Sequence, residues 1–261
     1  MVYPWRNRKR GKALEGGKNV GLLKRLRKKR EPQGPRCSAV VPAAGSSRRM
    51  EGQDKILLPL DDVPVLVHTL QALSASEYIQ EIVVVTREDL IVPVGQLCRD
   101  CALDKVTKVL IGGATRADSV LAGVEEVSGR AELIAVHDGA RPLVTVEVID
   151  EAIRKAAECG AAAPAVPVKD TIKRAVDGVV AETPDRAQLF AIQTPQVFDG
   201  DLLLGALRKA VEDGAAITDD CSAVERIGMK VCLTEGSYEN IKITTPADML
   251  VAEAILHSRD T

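Results

Sequence analysis

Short apolar segments alternate with segments of helical spacing along most of the chain, and this alternation limits the fold more than any other feature of the sequence. The predicted strands are residues 38–41, 82–85, 106–111, 133–136 and 161–168, and the predicted helices include 65–73, 89–101, 117–127 and 146–159. Strands this apolar are typical of a sheet that is covered on both faces. The sequence therefore predicts an α/β fold with a doubly wound, mainly parallel sheet.

The first predicted strand runs into a loop of small residues that is followed by basic ones. Ala43, Ala44 and Gly45 allow main-chain N–H groups to approach an anion, and Arg49 and Lys55 bring positive charge to the same loop. The loop lacks the Gly-Lys-Ser/Thr of Walker A and the three glycines of the dinucleotide fingerprint. It predicts a phosphate-binding loop of another kind. An ordinary strand-to-helix loop with solvated basic residues is the alternative that this stretch alone leaves open.

Two further loops at predicted strand ends carry polar residues. Gly112, Gly113 and Ser119 follow the third strand, and Asp138 and Arg141 follow the fourth. Since ligands of such sheets bind at the carboxyl ends of the strands, we expect the three loops to form one site. Asp138 is the candidate Mg²⁺ ligand, because Mg²⁺ is commonly held by one or two carboxylates and the phosphates of a nucleotide. A turn or helix-cap role for Asp138 is the alternative.

Lys242 stands between Ile241 and Ile243 near the end of the chain. The alternation predicts a short strand, 241–243, with the lysine on the face opposite to its apolar neighbours. A lysine at the end of a buried strand is more often functional than structural, because lysines are rarely buried without a partner. Lys242 is therefore a further candidate for binding phosphate.

Residues 171–182 interrupt the strand–helix alternation. Two short strand-like segments flank Asp177 and Gly178, which is a typical pair for a type I′ turn. The pattern predicts a protruding β-hairpin arm at about 169–185, and an exposed two-stranded arm invites pairing with another chain. We expect a homodimer formed through this arm.

The net charge of −2 conceals two oppositely charged parts. Residues 1–36 carry a formal charge of +11 and residues 37–261 carry −13. The first part has few apolar residues and is predicted to be a basic, disordered extension, whereas residues 37–261 form the globular domain. Contact of the extension with nucleic acid is an open alternative to a solvated tail. No stretch approaches the roughly 18 apolar residues of a membrane helix, so we expect a cytoplasmic protein without membrane contact.

Taken in order, these motifs resemble the 2-C-methyl-D-erythritol 4-phosphate cytidylyltransferase family. The resemblance extends from about residue 38 to residue 257. The matching pieces are Pro42-Ala43-Ala44-Gly45 with Arg49 and Lys55, Gly112-Gly113 with Arg116 and Ser119, His137-Asp138 with Arg141, residues 167–173, Asp185-Arg186, Thr194-Pro195-Gln196, Thr218-Asp219-Asp220 and residues 240–244. Ser47 and Gly139 depart from the pattern, which leaves the detail of their loops open.

The resemblance implies a Rossmann-like nucleotidyltransferase that moves CMP from CTP to a small polyol phosphate in isoprenoid biosynthesis. It implies that three basic residues act on the triphosphate, namely Arg49, Lys55 and Lys242, and that Asp138 holds Mg²⁺. It implies that cytosine is recognised by Gly112, Gly113 and Ser119. The acceptor is expected to bind Arg141, Thr171 and Arg186, and Arg186 is also expected to be catalytic.

The reaction agrees with the residue types. A phosphate monoester has a second pKa near 6 and arrives largely ionised, so the chain needs no general base. Two alternatives remain: a cytidylyltransferase for ribitol 5-phosphate, and a catalytically silent protein that binds nucleotides or nucleic acid.

Overall fold

The computed structural model describes residues 34–45, 54–129 and 131–259. Its centre is an eight-stranded sheet flanked by helices. The strands of the described residues, including two separate hairpins, are β1 Cys37–Pro42, β2 Pro59–Leu60, β3 Val63–Pro64, β4 Ile79–Thr86, β5 Val106–Ile111, β6 Leu133–Val136, β7 Ala161–Pro167, β8 Arg174–Val176, β9 Val179–Glu182, β10 Phe190–Ile192, β11 Gln196–Asp199 and β12 Cys232–Glu235. The order in the sheet is β10-β7-β11-β6-β1-β4-β5, with β12 also paired to β7.

The pairs β1·β4, β1·β6, β4·β5 and β12·β7 are parallel, and β10 and β11 run antiparallel to their neighbours. The predicted α/β fold with a mainly parallel, doubly wound sheet is therefore confirmed. Strand β11 was not predicted, because Thr194-Pro195 comes directly before it and an X-Pro pair usually indicates a turn. The Thr194–Pro195 peptide bond is cis.

Helices cover both faces of the sheet. They are α1 Val65–Ala75, α2 Ile91–Asp100, α3 Arg116–Glu125, α4 Val146–Cys159, α5 Gly200–Glu212, α6 Asp220–Arg226 and α7 Pro246–Arg259. Alternate residues of β1 face the two cores, since Ala39 and Val41 belong to one and Val40 to the other. Helix α3 packs so closely that a Cβ on Gly123 would lie 2.5 Å from Val40 Cγ1. No helix of the described part is long and apolar enough to span a membrane.

Strands β8 and β9 form the predicted hairpin, and every residue of both strands is exposed. Asp177 and Gly178 connect them with φ angles of 49° and 78°. Two successive positive φ angles are what a type I′ turn requires, so the Asp-Gly interpretation is confirmed. Below, "the arm" means residues 169–185.

Residues 241–243 are not a strand, and that prediction is wrong. The segment does not pair with a strand and is instead held by single hydrogen bonds to the loop after β6. In one of these, Ile243 N–H donates to Ala140 O at 2.8 Å. The expected alternation survives, because Ile243 is buried and Lys242 is exposed. Most of the predicted basic extension lies outside the described residues, as does Arg49.

Candidate active site

The loops that follow β1, β4 and β5 meet at the carboxyl edge of the sheet. Ala43 N–H donates to Val85 O at 2.7 Å, and Gly112 N–H donates to Thr86 O at 2.8 Å. A Cβ on Gly112 would lie 3.2 Å from Ala44 Cβ and 2.7 Å from Ser119 Oγ, so this position has no room for a side chain. The predicted phosphate loop and the predicted glycine loop are therefore neighbours.

Ser119 closes the second of these loops. Its hydroxyl accepts a hydrogen bond from Gly113 N–H at 3.1 Å and donates to Thr115 O at 2.9 Å. Thr115 and Asp118 form a capping box that begins α3. Ser119 thus shapes the loop in the described residues, and its role in reading cytosine stays a prediction.

Asp138, directly after β6, lies among three basic side chains. Lys242 Nζ is 2.7 Å from its Oδ2, Arg116 Nη2 is 3.4 Å from its Oδ1, and Arg141 Nε is 3.7 Å from Oδ2. Burial alone would raise the pKa of Asp138, but the positive charges of Lys242, Arg116 and Arg141 hold this pKa well below its usual range. The carboxylate is therefore ionised at any pH at which an enzyme works.

The segment that carries Lys242 is fastened to the loop after β6. Arg141 Nη1 donates to Asn240 O at 2.6 Å, next to the Ile243–Ala140 contact described above. Lys55 joins the same segment, because its Nζ donates to Ile243 O at 3.0 Å. Two lysines that are 187 positions apart in the sequence therefore meet at one segment, and their role in binding phosphate stays a prediction.

His137 is fully buried and orients this loop. Asp138 N–H donates to Thr194 Oγ1 at 3.1 Å, and Thr194 Oγ1 lies 3.1 Å from His137 Nδ1. His137 Nε2 lies 3.2 Å from Arg141 O. A carbonyl oxygen can only accept, so the proton is assigned to Nε2 and Nδ1 accepts from the threonine. Burial lowers the pKa of His137 to about 4, so the ring is neutral, and both of its nitrogens are already hydrogen-bonded within the fold.

Arg116 and Asp220 form an ion pair that sequence reasoning did not single out. Arg116 Nη1 donates to Asp220 Oδ2 at 2.7 Å, and Asp220 is completely buried. Burial raises the pKa of Asp220, and Arg116 opposes this shift. Both residues stand in the matched motifs, but 104 positions separate them, and their pairing becomes visible only in the fold.

A Mg²⁺ ion would find one suitable ligand here. The described residues contain no group of three or more His, Cys, Asp and Glu side chains that could hold a metal. Asp138 is ionised and lies at the carboxyl edge, which fits an ion that takes one carboxylate from the protein and its other ligands from substrate phosphates and water. The donor set does not fit a metal held by the protein alone.

Thr171 lies on the arm, and Arg186 lies directly after it. Arg186 Nη1 donates to Lys169 O at 2.7 Å, and both Thr171 and Arg186 are exposed. Within the described residues, no hydrogen bond or ion pair connects either of them to Asp138, Arg141 or Lys242. Direct contacts within the described chain therefore do not link the acceptor residues that the resemblance implies.

The sequence profile of the family described as "IspD: 2-C-methyl-D-erythritol 4-phosphate cytidylyltransferase" matches residues 37–258. A protein of that name from Caldanaerobacter subterraneus subsp. tengcongensis is 48% identical in an alignment of 226 residues that covers 84% of this chain and 98% of the relative. One from Bacillus mycoides is 45% identical, over 84% of this chain and 96% of the relative. The crystal structure of 4-diphosphocytidyl-2C-methyl-D-erythritol synthase from Anaerococcus prevotii superposes with a TM-score of 0.77 at 31% identity, covering 85% of this chain and 99% of that one.

Proposed function

The chain belongs to the 2-C-methyl-D-erythritol 4-phosphate cytidylyltransferase family, and from this premise we propose how its site performs the reaction. The enzyme transfers CMP from CTP to 2-C-methyl-D-erythritol 4-phosphate. It releases pyrophosphate and forms 4-diphosphocytidyl-2-C-methyl-D-erythritol for the non-mevalonate isoprenoid pathway. The observation that carries the mechanism is the position of Lys242, Arg116 and Arg141 around Asp138, with Lys55 hydrogen-bonded to Ile243 in the segment that carries Lys242.

The chemistry requires fixed positive charge more than proton transfer. An oxygen of the acceptor phosphate attacks the α-phosphorus of CTP, the bond from that phosphorus to the bridging oxygen breaks, and pyrophosphate leaves. Negative charge grows on the phosphoryl oxygens in the transition state, and fixed cations stabilise it more than they stabilise the bound substrate. We assign this role to Lys55 and Lys242, together with Arg49, whose position lies outside the described residues.

The remaining nucleotide contacts follow from the three loops. Main-chain N–H groups of Ala44 and Gly45 bind phosphate oxygens, since small side chains leave the backbone accessible. The N–H of Ala43, which the sequence also placed in this role, already donates to Val85 O, so Ala43 contributes only its small side chain. Cytosine lies against Gly112 and Gly113, where the close approach of Ser119 to Gly112 and of Asp118 to Gly113 already excludes a side chain. Asp138 would hold Mg²⁺, which would supply charge neutralisation at the triphosphate.

The acceptor site is completed by a second subunit. Arg141 lies beside Asp138, whereas no hydrogen bond or ion pair among the described residues connects Thr171 or Arg186 to it. The arm exposes Val176, Val179 and Val180, with 54%, 70% and 57% of their surfaces accessible, a pattern that favours burial against another protein surface. A homodimer in which each arm brings Thr171 and Arg186 to the partner's Arg141 accounts for both observations. A cytoplasmic location stays a prediction.

The relatives favour the erythritol acceptor over ribitol 5-phosphate and over a silent binding protein. The test is pyrophosphate release with Mg²⁺, each of CTP, UTP, ATP and GTP, and each of the two acceptors. We expect CTP with 2-C-methyl-D-erythritol 4-phosphate to exceed every other pair by about tenfold or more in kcat/KM, a difference that a few hydroxyl and methyl contacts can supply. A preference for ribitol 5-phosphate, or no release with any pair, would overturn the assignment.

A further inference from the structure

The buried carboxylate of Asp220 is not needed to begin the helix in which it lies. It is the first residue of α6, but the helix is already capped by Asp219, whose side chain accepts from Ser222 N–H at 2.9 Å. Asp220 N–H and Cys221 N–H both donate to Gln196 Oε1 at 3.0 Å. The start of α6 is therefore fixed to β11 through main-chain donors, and the Asp220 carboxylate is left for another use.

That carboxylate is fully buried and only half satisfied. Its Oδ2 accepts from Arg116, and its Oδ1 has no hydrogen-bond partner among the described residues. A buried ion pair of this kind is weak support for stability, because removing two charges from water costs about as much as their attraction returns. The aspartate is thus a poor choice for packing, and a role in the site explains it better.

Arg116 is divided between two carboxylates. Its Nη1 is 2.7 Å from Asp220 Oδ2, and its Nη2 is 3.4 Å from Asp138 Oδ1. A guanidinium can bind one carboxylate with two parallel hydrogen bonds, and Asp138 would be the remaining partner if Asp220 lost its charge. Asp138 already has Lys242 at 2.7 Å, so a fully engaged Arg116 would occupy its other oxygen.

We propose that Asp220 is a positioning residue for nucleotidyl transfer, which holds Arg116 back from Asp138 and so keeps one oxygen of that carboxylate available to a divalent cation. The proposal rests on the function proposed above, in which Asp138 holds the metal. In this proposal, the buried Arg116–Asp220 ion pair determines how closely the Arg116 guanidinium approaches the Asp138 carboxylate. Asp220 would not touch the substrates, and its influence would pass through Arg116 alone.

The experiment measures Mn²⁺ binding to the enzyme–CTP complex by electron paramagnetic resonance, with no acceptor present and therefore no turnover. In Asp220→Asn we expect Mn²⁺ affinity to fall about tenfold, since Arg116 would then compete for Asp138. Metal-free CTP, measured by calorimetry with a chelator, should bind at least as tightly as to wild type, because the site has lost one negative charge. Asp213→Asn is the matched control, as Asp213 pairs with Lys209 and Arg226 on the surface.

The decisive comparison places Asp220→Asn in an Arg116→Gln background. Without a guanidinium to close on Asp138, the tenfold loss should disappear, whereas damage to packing would persist in the double variant. If Asp220→Asn does not fold, the same measurement is made on Asp220→Glu and Arg116→Gln. Asp220→Glu should keep a Mn²⁺ affinity near that of wild type, and Arg116→Gln should have a higher Mn²⁺ affinity. Equal Mn²⁺ affinity in Asp220→Asn and wild type, or an equal loss in both backgrounds, would overturn the proposal. Because CTP binding is read without catalysis, failure of the proposed reaction would appear separately, in the pyrophosphate assay.

Discussion

The neutral, buried His137 predicts a specific loss of stability in mild acid. The pKa of His137 is about 4 in the folded protein, and that of an exposed histidine is about 6.5. Between these values the unfolded chain binds a proton that the folded protein does not, so the free energy of unfolding decreases as the pH falls through this window. Above about pH 6.5 the free energy of unfolding no longer depends on pH through this histidine.

The magnitude follows from the two pKa values. Protonation of the unfolded state at pH 5 lowers the free energy of unfolding by about 2 kcal/mol relative to pH 7, and the limit below pH 4 is about 3 kcal/mol. Asp138 acts in a different window. Its lowered pKa stabilises the folded state above the ordinary value of an aspartate, and this contribution is lost only as the pH falls below about 4.

Urea denaturation at a series of pH values from 7 to 4.5 measures this effect, with constant m-values as the requirement for interpreting midpoints as stability. His137→Gln should be less stable at pH 7, because it loses the ring between Thr194 and Arg141, but the pH-dependent loss should shrink by about 2 kcal/mol. His257→Gln, at an exposed ring, is the control. A wild-type stability that stays flat from pH 7 to pH 5, or an undiminished slope in His137→Gln, would refute the reasoning.

Two further predictions concern catalysis and assembly. Lys55→Ala and Lys242→Ala should each lower kcat on the order of 10²-fold with a smaller change in the KM for CTP, measured by pyrophosphate release, because both amines meet charge that grows in the transition state. Lys108→Ala, which removes a surface pair with Glu126, is the control, and a raised KM at unchanged kcat would contradict these roles. Val179→Arg in the arm should shift the mass found by light scattering from dimer to monomer, whereas Val92→Arg, also at an exposed valine, should not. A monomeric wild type with full activity would exclude the dimer.

The sequence predicted those parts of the fold that depend on local pattern. Val40 and Val41 read as a buried strand, and they lie at the centre of the sheet with their side chains in opposite cores. Asp177-Gly178 identified the hairpin, because few other pairs adopt two positive φ angles at low cost. In each case the local conformation is determined by a few neighbouring residues, so it can be predicted from a single sequence.

Predictions failed where tertiary contacts decide the conformation. The segment from Ile241 to Ile243 has the alternation of a strand, but it is held from two distant parts of the chain, by Lys55 and by the adjacent Ala140 and Arg141. The Arg116–Asp220 pair was invisible for the same reason. Motif spacing placed both residues near the site, but it does not predict that the Arg116 guanidinium contacts both the Asp138 and the Asp220 carboxylates.

The charges of the site explain why so many basic residues can be held close together. Lys242, Arg116 and Arg141 would repel one another strongly in a partly buried setting, and Asp138 and Asp220 reduce this repulsion. The five side chains still carry a net charge of +1, to which Lys55 adds a further unit. A triphosphate therefore meets cations that are already positioned and incompletely neutralised. Little reorganisation remains for the moment of transfer, which is the condition under which fixed charges lower a reaction barrier most.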